Sequence, residues 1–158
     1  MKILLATDGT KYSEAALQFL GKFNLSDGDE VKIVSVVDMA LPLSIDMYGG
    51  GYVPTTLEIE QSAKKTTEKT LVETAQRTWE IISNPNVNIS TETLIGSPES
   101  RIVETAEEMK ADLIIVGSHG YNRWERLLLG SISDSVVHHA PCSVLIVRNL
   151  SPEGKDKK

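Results

Sequence analysis

The feature that most constrains the fold is a regular alternation between short apolar segments and longer segments with helical spacing. Five segments are rich in aliphatic and β-branched residues and have the length of strands. Four intervening segments carry apolar residues three and four positions apart, which is typical of helices that bury one face. The predicted strands are residues 3–6, 31–37, 87–95, 113–116 and 143–148, and the predicted helices are residues 12–23, 57–82, 98–109 and 132–139. This order predicts an α/β fold, a doubly wound five-stranded parallel sheet with helices on both faces.

Two of the helical segments support more detailed expectations. In residues 57–82 the apolar positions form one stripe, which predicts that these side chains face the sheet together. The stripe consists of Ala63, Leu71, Val72, Ala75, Trp79 and Ile82. Residues 96–99 read Gly-Ser-Pro-Glu, which predicts a helix start with Ser97 as the capping residue.

Length and composition indicate one globular domain. The 158 residues include 41% apolar and 24% charged residues, ordinary values for such a domain. We expect residues 1–148 to form this single domain and residues 149–158 to be a polar, disordered tail. Sixteen Lys and Arg residues against 22 Asp and Glu residues give a net charge of −6, which argues against a nucleic-acid or anionic-membrane binder.

The cysteine content and the length of the apolar runs indicate the compartment. A single cysteine, Cys142, excludes an intrachain disulfide and fits a reducing environment, where it is expected to be a small packing residue. No apolar run reaches the roughly 20 residues of a membrane span, and the first residues do not form a signal peptide. We therefore expect a cytoplasmic protein.

A glycine-containing loop follows the fourth predicted strand and precedes the last helix. The loop begins with residues 117–120, Gly-Ser-His-Gly, and ends with Gly130 and Ser131. Glycines allow backbone N–H groups to approach an anion without interference from a Cβ atom. A helix that begins here adds free N–H groups and the positive end of its dipole. The combination favours a polyphosphate site over simple turns, and Ser131 is expected both to cap the helix and to bind the anion.

The loop after the first predicted strand lies near the same place if the first and fourth strands are neighbours. It contains Thr7, Asp8 and Gly9, and doubly wound sheets bind ligands beyond the carboxyl ends of their strands. Asp8 is therefore interpreted as a ligand contact in preference to a simple turn residue. Residues 38–56, a long segment with three consecutive glycines and two prolines, are predicted to be a functional or mobile loop.

The glycine loop resembles the nucleotide motif of the universal stress protein family. Residues 117–131 match the family pattern G-x2-G-x9-G-[ST] at every defined position. The opening residues 3–9 and the closing residues 140–147 also resemble the family. The resemblance covers residues 1–148, and it implies the strand order 3-2-1-4-5 and binding of ATP by members that carry the motif.

The resemblance also implies a set of nucleotide-binding residues. Phosphates are expected at the motif glycines and at the start of the last helix, whereas Asp8 is expected to face the adenosine part. The backbone of Val36 is expected to meet the adenine, and Val116 is expected to pack near the base or ribose. The full set is Thr7, Asp8, Val36, Val116, Gly117, Gly120, Arg123, Gly130, Ser131, Ile132 and Ser133.

Cofactors and partners follow from the same resemblance. The expected ligand is ATP, with Mg²⁺ or Mn²⁺ held mainly through the phosphates and without dedicated protein ligands. The expected assembly is a homodimer formed through the last strand, Ser143 to Arg148, which would otherwise be an exposed apolar edge. An adenine nucleotide and an unidentified regulatory partner are expected, and a nucleic acid or a membrane is not.

Three functions remain open on the sequence. The first is an ATP-binding protein with a nucleotide-dependent regulatory or stress-response role. The second is a slow ATPase or nucleotidyl-transfer enzyme, for which Asp8 and His119 are the candidate catalytic residues. The third is a dimeric interaction module without nucleotide. The sequence lacks an evident P-loop lysine and dedicated magnesium ligands of the kind that fast ATPases use, which favours the first function.

Overall fold

The computed structural model, which describes residues 1–38, 56–118 and 129–148, contains one sheet and two layers of helices. Its elements are β1 (Lys2–Ala6), α1 (Lys11–Leu20), β2 (Glu30–Val37), α2 (Thr56–Ile81), β3 (Asn88–Ile95), α3 (Pro98–Met109), β4 (Leu113–Gly117), α4 (Ser131–His139) and β5 (Ser143–Val147). The strands are parallel in the order β3-β2-β1-β4-β5, so the predicted fold class and strand order are confirmed. Most of the predicted loop 38–56, residues 119–128 of the glycine loop and the tail 149–158 lie outside the described residues.

The central strand β1 pairs with β2 on one side and with β4 on the other. Leu5, for example, lies beside Ile33 of β2 and Ile115 of β4. These three side chains are fully buried, and so are Ile3 and Leu4. A strand that is covered on both faces needs apolar residues at successive positions, which explains the unbroken apolar runs of β1 and β4.

The helices cover the two faces of the sheet in pairs. The core on one face joins α1 and α2 to strand residues such as Leu5 and Ile33. The core on the other face joins α3 and α4 to Leu4 and Val34. Successive strand residues point to opposite faces, so neighbouring positions contribute to different cores. None of the helices in the described ranges is long and apolar enough to span a membrane.

The buried face of α2 differs from the predicted stripe. Val72 and Trp79 are 56% and 47% exposed, so the prediction that they face the sheet is wrong. Thr74 and Thr78 are buried instead. The Thr78 hydroxyl donates to the Thr74 carbonyl (2.7 Å), and the Thr74 hydroxyl donates to the Thr70 carbonyl (2.8 Å). Because these bonds satisfy the hydroxyl groups within the helix, threonines can take inward positions that an apolar pattern does not reveal.

Gly21, directly after α1, allows the ends of α1 and α2 to approach closely. A Cβ atom at this position would lie 2.2 Å from Cγ2 of Ile81. The neighbouring turn is closed by a hydrogen bond from the N–H of Lys22 to the carbonyl of Phe19 (3.0 Å). Glycine is therefore required here by helix packing.

We expect Gly21→Ala to lower the free energy of unfolding by about 1–3 kcal/mol, the usual cost of overpacking. The loss should fall below about 1 kcal/mol in an Ile81→Ala background, which removes the methyl group that the new Cβ would meet. Urea denaturation of the four proteins in this double-mutant cycle measures both values. An equal loss in the two backgrounds contradicts this explanation of the glycine.

Candidate functional site

The carboxyl ends of β1 and β4 lie side by side where the strand order of the sheet reverses. β1 ends at Ala6 and β4 ends at Gly117, and the two strands run parallel. The N–H of Thr7 donates to the carbonyl of Val34 (2.9 Å), which ties the end of β1 to β2. The loops after β1 and β4 therefore open at one edge, where doubly wound sheets bind ligands.

The carboxylate of Asp8 is held by the residue two positions later. Its Oδ1 atom accepts hydrogen bonds from the backbone N–H of Thr10 (3.0 Å) and from the Thr10 hydroxyl (2.7 Å). The hydroxyl oxygen of Thr7 accepts a bond from the N–H of Gly9 (3.2 Å). These local bonds fix the direction of a partly exposed carboxylate at the edge of the sheet.

Gly9 makes the close contact between this loop and α2. Its φ angle is +74°, a left-handed conformation that favours glycine. A Cβ atom at Gly9 would also lie 2.8 Å from Cγ2 of Thr70. The loop is thus held by its own turn, by β2 and by a helix on one face of the sheet.

The peptide groups that leave β4 are held by β5 and by the residue before α4. The N–H of Ser118 donates to the carbonyl of Val147 (2.9 Å), and the N–H of Gly130 donates to the carbonyl of Ser118 (2.9 Å). Ser118 is buried. These bonds bring the two ends of the glycine loop together, and they engage the amide of Gly130.

The first turn of α4 presents the backbone N–H groups of Ser131, Ile132 and Ser133. Gly130 is the N-cap residue, and the first helical bond runs from the N–H of Asp134 to the carbonyl of Gly130 (2.9 Å). Within the described part of the chain, the three N–H groups have no hydrogen-bond partner. The prediction that Ser131 caps the helix is wrong, because the preceding glycine takes the capping position and Ser131 is the first helical residue.

The side chain of Ser133 faces the sheet. It is 3% exposed, and its hydroxyl donates to the carbonyl of Gly117 (2.8 Å). This bond connects the first turn of α4 directly to the end of β4.

The other predicted site residues fall into two groups. Val116 is buried near the end of β4, and Val36 is half-buried next to the last residue of β2. Both positions lie at the same edge of the sheet as Asp8. Gly120, Arg123 and the candidate catalytic residue His119 lie outside the described residues.

Acidic residues follow β1 and β2 at this edge of the sheet, and another lies at the start of the helix after β3. Asp8 follows β1, Asp38 follows β2, and Glu99 lies in the first turn of α3. A hydrogen bond from Ser97 holds the pKa of the Glu99 carboxyl below its usual range.

Ser97 occupies the cap position of α3 as predicted, but its side chain makes no capping bond. No group of three or more potential metal-ligating His, Cys, Asp or Glu side chains occurs among the described residues.

Sequence reasoning did not identify the hydrogen bonds that fix these loops. The Asp8–Thr10 turn has a local signal, because aspartate commonly bonds the backbone two residues later. The bonds from Ser118 to Val147 and from Ser133 to Gly117 join residues that are far apart in the chain. No local pattern indicates such pairs.

Comparison with known proteins gives a family match over most of the chain. The model of the Universal stress protein family matches residues 1–148. The universal stress protein MJ0531 of Methanocaldococcus jannaschii is 34% identical over 154 residues, which cover 96% of this chain and 84% of that protein. A putative universal stress protein of Staphylococcus aureus is 34% identical over 149 residues, which cover 92% of this chain and 82% of that protein.

Solved structures are similar in fold. The hypothetical protein MJ0577 matches with a TM-score of 0.79 and 23% identity over 95% of this chain and 96% of that one. A universal stress protein in complex with cAMP matches with a TM-score of 0.66 and 22% identity, covering 94% and 96% of the two chains. An Arabidopsis thaliana family protein with AMP bound matches with a TM-score of 0.63 and 14% identity, covering 97% and 94%. At these identities the similarity establishes the fold.

We expect Gly9→Ala to destabilise the chain more than Gly28→Ala. Gly28 has a similar φ angle of +82° but no atom within 4 Å of a new Cβ, so its substitution reports the left-handed strain alone, about 1–2 kcal/mol. At Gly9 the contact with Thr70 adds about 1–3 kcal/mol of overpacking.

Chemical denaturation of the two variants measures this difference. Adding Thr70→Ser, which removes the methyl group and keeps the hydroxyl, should reduce the extra loss at Gly9 and leave the Gly28 variant unchanged relative to its own background. Equal losses at the two glycines would contradict a close contact between the β1–α1 loop and α2.

Proposed function

Because the chain belongs to the universal stress protein family, we propose that it binds ATP at the carboxyl edge of β1 and β4 and has a nucleotide-dependent regulatory role in the stress response. The observation that carries this proposal is the first turn of α4, where the N–H groups of Ser131, Ile132 and Ser133 have no partner among the described residues. Three N–H donors at the positive end of a helix dipole favour a phosphate group.

The charge around the edge supports one orientation of the nucleotide. The carboxylate of Asp8 would repel phosphates but can accept a hydrogen bond from a ribose hydroxyl. The donors of α4 lie on the other side of the reversal in strand order. We therefore place the phosphates at α4, the ribose near Asp8 and the adenine near Val36 and Val116. Thr7, Gly117, Gly120 and Arg123 complete the proposed site.

The class of ligand is supported by relatives of known structure. One neighbour is described in complex with cAMP and another with AMP bound, and both contain an adenine nucleotide. ATP is the proposed ligand of this chain, and Mg²⁺ or Mn²⁺ would be held mainly by its phosphate oxygens. Because Oδ1 of Asp8 already accepts two bonds from Thr10, we favour a ligand-orienting role for this carboxylate over a role as general base.

The remaining parts of the proposal concern the whole chain. Residues 1–148 form a single nucleotide-binding domain, and residues 149–158 form a polar tail. A cytoplasmic location rests on the single cysteine of the sequence. Two copies pair through the last strand, Ser143 to Arg148. A regulatory partner distinguishes the nucleotide-bound protein from the nucleotide-free protein.

We expect Ser131→Asp to weaken ATP binding about tenfold or more, because like charges a few ångströms apart repel strongly near a protein surface. The same change should keep or raise stability by about 0.3–1 kcal/mol, because a carboxylate in the first turn of a helix complements its dipole. Isothermal titration calorimetry and thermal denaturation measure the two effects separately.

The matched control is Ser131→Asn, which has the shape of aspartate without its charge and should bind ATP more tightly than Ser131→Asp. Equal affinity of these two variants would overturn the placement of phosphate at α4. Mass spectrometry of the denatured parent protein adds a direct comparison, since a nucleotide-free interaction module would carry no nucleotide through purification.

We expect the parent protein to sediment as a dimer and Ile146→Lys to sediment as a monomer. Ile146 is half-buried in β5, which is at an edge of the sheet, and a charge at a paired edge opposes association. Val72→Lys, on the exposed face of α2, is the control and should remain a dimer. A monomeric parent, or a dimer that survives in Ile146→Lys, contradicts pairing through this strand.

A further inference from the structure

We propose that Ser133 is a positioning residue that keeps the N–H groups of α4 available for phosphate, a role that rests on the proposed nucleotide site. The relevant group is its side chain, whose hydroxyl donates to the carbonyl of Gly117 at 2.8 Å. Ser133 is the third residue of α4 and is 3% exposed, so this bond forms under the first turn of the helix, away from solvent.

The bond fixes one end of the peptide group between Gly117 and Ser118. Its carbonyl accepts from Ser133, and its N–H donates to the carbonyl of Val147 in β5. Both Gly117 and Ser118 are buried, and buried peptide groups require partners. With both ends engaged, this peptide is held in one orientation, which fixes the direction of the backbone at the end of β4.

The carbonyl of Gly117 would otherwise compete with the ligand. A carbonyl oxygen is the negative end of a peptide dipole and seeks the nearest donor. The donors that α4 offers nearby are the N–H groups of its first turn, which have no partner among the described residues. If one of them turned to the carbonyl, the proposed site would lose a donor and gain a negative partial charge. The Ser133 hydroxyl satisfies the carbonyl without using a backbone N–H group.

The test compares Ser133→Val with Ser133→Thr, two side chains of nearly the same shape that differ in the hydroxyl. Calorimetric titration with Mg-ATP should give a dissociation constant about tenfold higher for Ser133→Val than for Ser133→Thr, the effect of one lost hydrogen bond. Thr105→Ala is the matched control elsewhere, because Thr105 is equally buried and its hydroxyl donates to the carbonyl of Arg101 within α3 (2.7 Å). Its affinity for ATP should equal that of the parent.

A second measurement does not depend on nucleotide. Amide hydrogen exchange in the ligand-free chain should be faster at Ser118 and Gly130 in Ser133→Val than in Ser133→Thr, because both amides belong to the same network. If Ser133→Val does not fold, Ser133→Ala takes its place in both comparisons.

The outcomes separate the two proposals. A parent protein that does not bind ATP overturns the proposed function. A parent that binds ATP, with equal affinity in the valine and threonine variants, overturns the positioning role alone. Equal exchange rates at Ser118 and Gly130 in the two variants also overturn it, since the hydroxyl would then hold nothing in place.

Discussion

The parallel pairing of β1 with β4 is the contact on which the candidate site depends. These two strands are not consecutive in the chain, and their pairing brings together a loop near residue 8 and a loop that begins at residue 117. On its own, the β1–α1 loop supplies an oriented carboxylate, and the β4–α4 loop supplies backbone donors. Only when the two loops are neighbours does the edge carry acceptors on one side and donors on the other, the arrangement on which the proposed nucleotide site rests.

The hydrogen-bond donors at this edge are backbone N–H groups, which act locally and are therefore compatible with a chain of net negative charge. With a net charge of −6, the protein as a whole repels anions. A cluster of lysines would attract anions of many kinds, whereas the first turn of α4 acts only within a few ångströms. The N–H groups point along the axis of α4. The contacts that hold α4 against β4 therefore also determine whether these donors point to a ligand. The proposed role of the buried hydrogen bond from Ser133 to Gly117 follows from this dependence.

The fold could be predicted from the sequence because the helical spacing of apolar residues and the apolar runs of strands are local patterns. Each pattern corresponds to a helix or a strand of the structure. The strand order was predicted from a family resemblance, and the glycine loop indicated the candidate site. The failures concern which residues take buried or capping positions, which hydropathy and residue type alone do not decide. Val72 and Trp79 look like core residues by hydropathy, but α2 buries Thr74 and Thr78, whose hydroxyls are satisfied inside the helix. Ser131 resembles a cap, yet Gly130 takes that position.

The hydrogen bond from Ser118 to Val147 gives the site a direct connection to the edge of the sheet. Val147 belongs to β5, whose inner edge pairs with β4 and whose outer edge is the one proposed to pair two copies of the chain. A shift of β5 on dimerisation would therefore move the acceptor that holds the peptide at the start of the glycine loop. In the other direction, a phosphate bound next to this peptide would stabilise the position of β5. Nucleotide binding and dimerisation would then be coupled through one backbone hydrogen bond, and thermodynamic reciprocity requires that each change the affinity of the other by the same factor.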